Sequence, residues 1–444
     1  MRTSAIEIVR HLHEAGHLAY FAGGCVRDMV RGVTPHDIDI ATTATPADVQ
    51  RLFPKTIPVG AQFGVILVLQ GAHQFEVATF RNDEAYVDGR RPSAVRYGSP
   101  QDDAQRRDFT VNGLFFDPLE ERLIDYVGGQ ADIERRVVRT IGDPRQRFGE
   151  DKLRLLRCVR FASTLDYTID PPTFAAVRDM AVQIQVVSAE RVRDELLRIF
   201  TGAHAGRGLD LLAESGLLGE VLPEVAAMQG VAQPPEFHPE GDVFTHVKRM
   251  LDLLPAKPDV VLALAVLLHD VGKPPTFIRA PDRIRFNDHD RVGAEMTGSI
   301  LRRLRFSNDV IERVETCVAE HMRLRDVREM RPAKVKRILA RDTFLLELEL
   351  HRLDCLASHG SLENHAFLVR KAAEVPPESL RPPRGVTGHD LLALGFLAGP
   401  RLGRVLAEIE ELQLEERIRS RDEALAYARE RLEKMTVEGP AHPD

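Results

Sequence analysis

No two cysteines in this chain stand close enough in sequence to read as a pair. Cys25, Cys158, Cys317 and Cys355 are widely scattered with no CxxC spacing. That excludes a cysteine zinc site and leaves no disulfide framework, so a reducing, cytoplasmic setting is the expectation. Long hydrophobic runs are missing too. The longest, Val260 to Leu268, is well short of the ~18 residues a membrane helix needs and stops at His269-Asp270, so it reads as a buried helix and no membrane partner is expected. The opening residues show no signal peptide. Instead Ala5, Ile8, Val9 and Leu12 form a helical stripe, and Ser4 and Glu7 have capping-box spacing. There is no internal repeat and no low-complexity tract. What remains is ordinary for a soluble globular protein, 43% hydrophobic and 29% charged. At 444 residues, two to four domains are expected.

The formal net charge of -7 argues, taken whole, against a nucleic-acid partner. Its distribution argues the other way. Between Arg135 and Arg160 nine Arg and Lys face only three acids, and a second basic stretch runs from Arg323 to Arg337. Local density of this kind binds phosphates whatever the total charge, although a solvated helix face has the same composition.

The pattern along the chain predicts an α+β protein, with an α/β head at 1–143 followed by helical segments at 144–230, 231–375 and 386–444. An opening helix leads into a short strand before Gly23-Gly24 and then the strand-like HDIDI. The apolar segments VILVL (Val65 to Leu69) and FEVATF (Phe75 to Phe80) are joined through Gly71 as a hairpin. After Asp143-Pro144 the strands are expected to stop, and helical periods run from Gly149 to Ala162 and from Ala189 to Phe200. Proline-rich links at Val231 to Asp242 and Val375 to Gly385 separate the later segments.

Strand period two places Asp37 and Asp39 on one face. Paired carboxylates repel unless a cation lies between them, and magnesium is the usual one, placed for phosphoryl transfer. Glu76, starting the second hairpin strand, supplies a third carboxylate. The turn Gly23-Gly24-Cys25-Val26-Arg27-Asp28 lets backbone N–H groups approach a phosphate while Arg27 neutralises it. Either feature alone also fits an acidic surface pair or a tight strand-to-helix turn.

Five segments in order, GGCVRD, HDIDI, FEVATFR, RRDFTVNG and RFGEDKLRLLRCVRFA, resemble the class II CCA-adding enzyme and bacterial poly(A) polymerase family over about the first half of the chain. The resemblance implies a polymerase-β-type nucleotidyltransferase head that adds nucleotides to a tRNA 3′ end from CTP and ATP without a nucleic-acid template. Asp37 and Asp39 would then hold magnesium with Glu76 beside them, and Gly23, Gly24 and Arg27 would bind the triphosphate. Arg107, Asp108 and Asn112 would hold the nucleotide and its ribose. Gly113 stands where the family has alanine.

The resemblance assigns Asp151 and Arg154 the role of a protein template. Read as the start of a helix, they project together at i, i+3, one accepting and one donating, and the same spacing also fits a surface ion pair. Cytosine and adenine both carry an amino donor beside a ring-nitrogen acceptor, an order that uracil and guanine reverse. Arg157 and Arg160 continue the basic face, and Glu190 to Glu195 reads as support for this helix.

Further on, His246, His269, Asp270, His289, His321 and Asp354 follow the order H…HD…H…H…D, with LLHDVGK between, and resemble the HD phosphohydrolase superfamily. By that resemblance His246, His269, Asp270 and Asp354 bind a transition metal or magnesium, while His289 and His321 add a second ion. A metal-free helical spacer is the alternative.

Four alternatives stay open at this level: a poly(A) polymerase, an enzyme adding only CC or only A, an HD phosphohydrolase with a relic RNA-binding head, and a non-catalytic tRNA-binding module. The stretch Asn82 to Gln105 reads as a flexible loop on which the choice between C and A would depend.

Overall fold

The computed structural model describes residues 1–60, 64–83, 95–236, 238–381, 383 and 385–437. Packing divides the chain into two units. The first holds Met1–Val231, Asp242–Leu267 and Ser299–Ser307, and the second holds Ala232–Gly241, Leu268–Gly298 and Asn308–Asp444.

The first unit opens with α1 (Arg2–Glu14), whose buried residues are Ala5, Ile8, Val9 and Leu12, the expected stripe. The expected capping box does not form. Helical geometry already begins at Arg2, which puts Ser4 and Glu7 inside the helix.

A seven-stranded sheet follows, built from β1 (Ala19–Ala22), β2 (Asp39–Thr42), β3 (Thr56–Gly60), β4 (Val65–Gln70), β5 (His73–Thr79), β8 (Leu114–Asp117) and β9 (Arg122–Asp125). Its order is β3-β4-β5-β2-β1-β8-β9. The β4–β5 hairpin closes with Gln70 opposite His73, and Gly71 takes a φ of 63° in the turn. Strand β2 lies parallel to β5 with Ile40 opposite Val77, so Asp39 and Glu76 each precede one of these partners on adjacent strands. Glu76 is in the middle of its strand rather than at its start.

The segment expected to be one loop is partly regular. Strand β6 (Arg81–Asp83) pairs with β7 (Val95–Tyr97), and α4 (Pro100–Gln105) starts from a Ser99/Asp102 capping box. The middle of that segment, 84–94, lies outside the described residues.

Strands do not end at Asp143. Beyond α5 (Gly129–Arg135), β10 (Val137–Val138) pairs in parallel with β11 (Thr168–Ile169), and in the second unit Phe277–Arg279 pairs with Ile284–Phe286. Ladders of two or three residues are too short to show a period-two pattern.

The helices of the first unit include α6 (Pro144–Glu150), α7 (Arg154–Leu165), α8 (Pro171–Met180) and α9 (Ala189–Phe200). The last matches the expected helix end to end. The expected continuous helix from Gly149 to Ala162 is instead two helices meeting at a turn, because Asp151 adopts extended backbone (φ -141°, ψ 109°). α7 and α9 pack against each other and against the helix Ala205–Glu214.

The second unit is mostly helical. One core gathers Leu324, Val335, Leu348 and Leu368, and another gathers Val405, Ile409, Ala424 and Ala428 from the last helices. All four cysteines are free and buried. Among the described residues, no helix is long and apolar enough to cross a membrane.

Candidate functional site

A cavity of about 570 Å³ in the first unit collects most of the head residues singled out from sequence: Gly23, Gly24, Arg27, Asp37, Asp39, Arg107, Asp108, Asn112, Asp151, Arg154, Arg157 and Arg160. The strand β2 begins only at Asp39, so Asp37 sits in the approach to it, and both still line the cavity. Glu76 is exposed beside Asp39 and is not part of the lining. Burial, then repulsion from Glu76 and Asp37, pushes the Asp39 carboxyl up to about 6, against a smaller pull from Arg107. A half-buried carboxylate beside two others favours a nearby cation, and the all-oxygen donor set fits a hard divalent one. Asp37, Asp39 and Glu76 are not among the described groups whose ligand atoms all lie within 4.8 Å of one another.

Gly23 takes φ 74° and ψ -127°, a conformation open to glycine, and a Cβ there would lie 2.7 Å from Arg107 Nη1. The turn therefore presses directly on an arginine. Buried Asp103 on α4 grips that arginine, accepting from Arg107 Nε (3.2 Å) and Nη2 (3.0 Å) as well as from Arg106 Nε (2.9 Å). Arg107 Nη1 also donates to the Asn112 carbonyl at 3.1 Å. Buried Asp108 accepts from Arg157 Nε at 2.8 Å and from its own neighbour's backbone, Phe109 N–H. Although burial opposes it, the Arg157 guanidinium takes the Asp108 carboxyl down to about 2.

Asp151 and Arg154 do not share a helix; the backbone N–H of Arg154 donates to the Asp151 carbonyl at 3.0 Å, and their side chains are held by other partners. Asp151 caps the C-terminus of α6, and Arg154 opens α7. Asp151 Oδ2 accepts from Arg191 Nη2 at 2.8 Å, and its Oδ1 accepts from Leu153 N–H. Arg154 donates to Glu150 Oε2 (2.6 Å) and to the carbonyls of Arg147 and Arg106 (3.0 and 3.2 Å). Each side chain is thus fixed separately, and both face the cavity. Glu195 on α9 contacts Arg160 at 2.6 Å and Arg157 at 4.0 Å, in keeping with the supporting role expected of that segment.

Five more lining residues, Asp28, Arg106, Leu153, Phe161 and Arg191, are not singled out as binding residues by the sequence. Arg106 adjoins Arg107 in the RRDF segment, and Phe161 follows Arg160, so their motifs were a signal. Arg191 meets Asp151 across 40 residues, and no local pattern shows that.

A second cavity, about 560 Å³ and wholly within the second unit, is lined by His269, Asp270, His289, His321 and Asp354. The sixth expected ligand, His246, is buried on the helix Val243–Asp252 of the first unit. Asp270, His289 and His321 bring one possible ligand atom each to within 4.8 Å of one another. The Nδ1 atoms of His289 and His321 contact the carbonyls of Phe286 (2.9 Å) and Val318 (2.6 Å). Carbonyls only accept, so Nδ1 carries the hydrogen and the two Nε2 lone pairs face each other at 3.2 Å. Burial, then His269 and His289, lowers His321 to about 4, keeping its ring neutral. Two converging lone pairs beside a carboxylate fit a metal ion. The glycine of HDVGK makes the arrangement possible, since a Cβ on Gly272 would lie 2.1 Å from the His289 carbonyl.

Comparison with known proteins bears on the head and on the helical segments that follow it in sequence. Residues 19–139 match the Poly A polymerase head domain, 166–229 the probable RNA and SrmB-binding site of polymerase A, and 291–428 the tRNA nucleotidyltransferase domain 2 (putative). The chain is 30% identical to a CCA-adding enzyme of Enterococcus faecalis over 425 residues, 95% of this chain and 94% of that protein. It is 35% identical to an A-adding tRNA nucleotidyltransferase of Deinococcus radiodurans over 432 residues, 92% of this chain and 94% of that protein. The chain spans about half the length of other curated CCA-adding enzymes that it matches, 53% in one case at 44% identity. Its fold superposes on the crystal structure of the Bacillus stearothermophilus CCA-adding enzyme in complex with CTP, with a TM-score of 0.75, 27% identity and 98% of each chain covered. With the carboxylate-lined head, the helical body behind it and full-length relatives of the same build, this chain belongs to the tRNA nucleotidyltransferase family of CCA-adding and A-adding enzymes.

Proposed function

We propose that this chain completes the 3′ end of tRNA from CTP and ATP in the cytoplasm, reading the incoming base with protein side chains. One observation carries the proposal: the head carboxylates Asp37 and Asp39 and the pair Asp151 and Arg154 line the same cavity. In the reaction the tRNA 3′ oxygen bonds to the α-phosphorus of the nucleotide, pyrophosphate leaves, and the hydroxyl proton is lost. Asp37 and Asp39 would hold magnesium, which supplies charge neutralisation for the attacking and leaving oxygens. Gly23, Gly24 and Arg27 receive the triphosphate, while Arg107, Asp108 and Asn112 shape the nucleotide and ribose pocket. Asp151 accepts from the amino group of cytosine or adenine, and Arg154 donates to the adjoining ring nitrogen. Uracil and guanine would set carbonyl against carboxylate and N–H against guanidinium.

Transfer RNAs ending before CCA, at C and at CC, each supplied with single nucleotides and then sequenced, test this. Addition of C, C and A in turn is expected. Addition of A alone, and only to the CC end, would place the chain with the A-adding relative. Growth of a long A tail would make it a poly(A) polymerase.

The second cavity favours a further reading, a metal-dependent phosphohydrolase. The converging Nε2 atoms of His289 and His321 beside Asp270 are its support. His269 and Asp354 line the same cavity, and buried Lys273 contacts Asp270 at 2.7 Å. A bound transition metal or magnesium would activate water against a phosphate ester. Asp270→Ala should abolish hydrolysis of phosphomonoesters and 2′,3′-cyclic phosphates, assayed with magnesium, manganese, nickel and cobalt, while nucleotide addition persists. No hydrolysis by the parent chain with any of these ions would leave the cavity a structural remnant.

A further inference from the structure

Phe161 has no hydrogen-bonding side-chain atom and is 6% exposed, yet its ring forms part of the wall of the first cavity. Three guanidinium groups meet it. Arg160 lies 4.0 Å from the ring centroid, Arg157 5.3 Å and Arg27 5.5 Å. Two of them hang from α7, as Phe161 does, and the third comes from α2 (Gly24–Val30). The ring is itself held edge-on by Phe109, at 5.7 Å and 73°, and Phe109 adjoins the aspartate that grips Arg157.

Each arginine also has a polar anchor on a different element. Arg27 donates to Asn112 Oδ1 at 2.8 Å and to Asp28 at 3.0 Å, Arg157 to Asp108, and Arg160 meets Glu195. Glu195 also meets Arg157 at 4.0 Å, while Arg27 is held by Asn112, and three cations packed together repel. The feature common to all three is the ring. An aromatic face attracts a guanidinium through its quadrupole and consumes none of the N–H edges that bind phosphate. An aliphatic side chain of similar bulk would fill the space without that attraction.

We propose that Phe161 is a positioning residue that gathers Arg27, Arg157 and Arg160 into one arc gripping the triphosphate, whichever base is attached. The proposal rests on reading this cavity as the nucleotide site, and it assigns Phe161 the phosphates rather than base choice, which belongs to Asp151 and Arg154.

The test compares equilibrium binding of CTP and CMP by the full chain in magnesium, for the parent and for Phe161→Leu, Phe161→Met and Phe161→Tyr. The Leu variant should bind CTP about tenfold more weakly, ~1.4 kcal/mol, and CMP within about twofold of the parent. KM for CTP and ATP should rise together while kcat changes less. The Tyr variant, which keeps the aromatic face, should recover most of the CTP affinity. If the Leu variant fails to fold, the Met variant carries the same comparison. Equal losses for CTP and CMP, an unchanged CTP affinity, or a Tyr variant no better than Leu would each overturn the proposal. A parent chain that binds neither nucleotide would overturn the nucleotide reading itself, a result that the variants alone cannot produce.

Discussion

Asp39→Ala, and separately Asp37→Ala, should take nucleotide addition down by roughly a thousandfold or more, with tRNA binding retained. Asp39 stands where the sheet delivers it, at the head of β2 and next to β5, with Asp37 two residues earlier and Glu76 on the adjoining strand. The ionised Asp39 carboxyl is costly where it stands, pushed up first by burial and then by Glu76 and Asp37. Removing one carboxylate should therefore stabilise the empty protein slightly while removing its grip on magnesium. A thermal melt of Asp39→Ala that matches or exceeds the parent, together with lost activity, is the expected pair of results. Because proton and cation compete for Asp39, the magnesium needed for half-maximal rate should rise as pH falls through about 6. Near-parental addition by both variants would sink the assignment of these carboxylates to metal.

Asp151→Ala should change which nucleotide is used more than how tightly tRNA binds. A bidentate base contact discriminates by ~1–3 kcal/mol, so preference for CTP over UTP, and for ATP over GTP, should fall by roughly ten- to a hundredfold. Two effects add. The amino group of C or A loses its acceptor, and Arg191, now without the carboxylate 2.8 Å away, is left as an uncompensated donor in the cavity wall. Competition between paired nucleotides, read by sequencing the added residue, measures the ratio directly. An unchanged ratio in folded Asp151→Ala protein would mean that base choice lies elsewhere.

Much of this was legible because the responsible signals are local. The apolar stripe of α1 and the full extent of α9 follow from helical period, and the Gly71 hairpin from a turn residue between two apolar strands. The cavity residues were named through short motifs that each keep their members within a few positions. What escaped was non-local or energetic. The break at Asp151 lies in a stretch whose residues all suit a helix, and only its extended backbone and its bond to Arg191 distinguish it. Asp103, which orients two arginines from inside α4, looked like one more acid in a segment expected to be loop. Phe161 belongs to a motif legible in the sequence, but nothing in that motif marks a ring met by three guanidinium groups.

If Asp151 and Arg154 read the incoming base, the junction between α6 and α7 bears on how one pocket would serve two bases of unequal size. Along an unbroken helix, two residues three apart are held at a separation set by ~1.5 Å of rise per residue, a ruler cut to a single length. Here the acceptor hangs from the end of one rod and the donor from the start of the next, with only Lys152 and Leu153 between them. The gap is set by backbone torsions at those two residues and by the turn hydrogen bond from Arg154 N–H to the Asp151 carbonyl at 3.0 Å, rather than by the rise of one helix. A pyrimidine and a purine present the same polar order at different reach. If Asp151 and Arg154 read the base, a caliper of two rods and a short link would have room to adapt to each, whereas a rigid ruler would fit one better than the other.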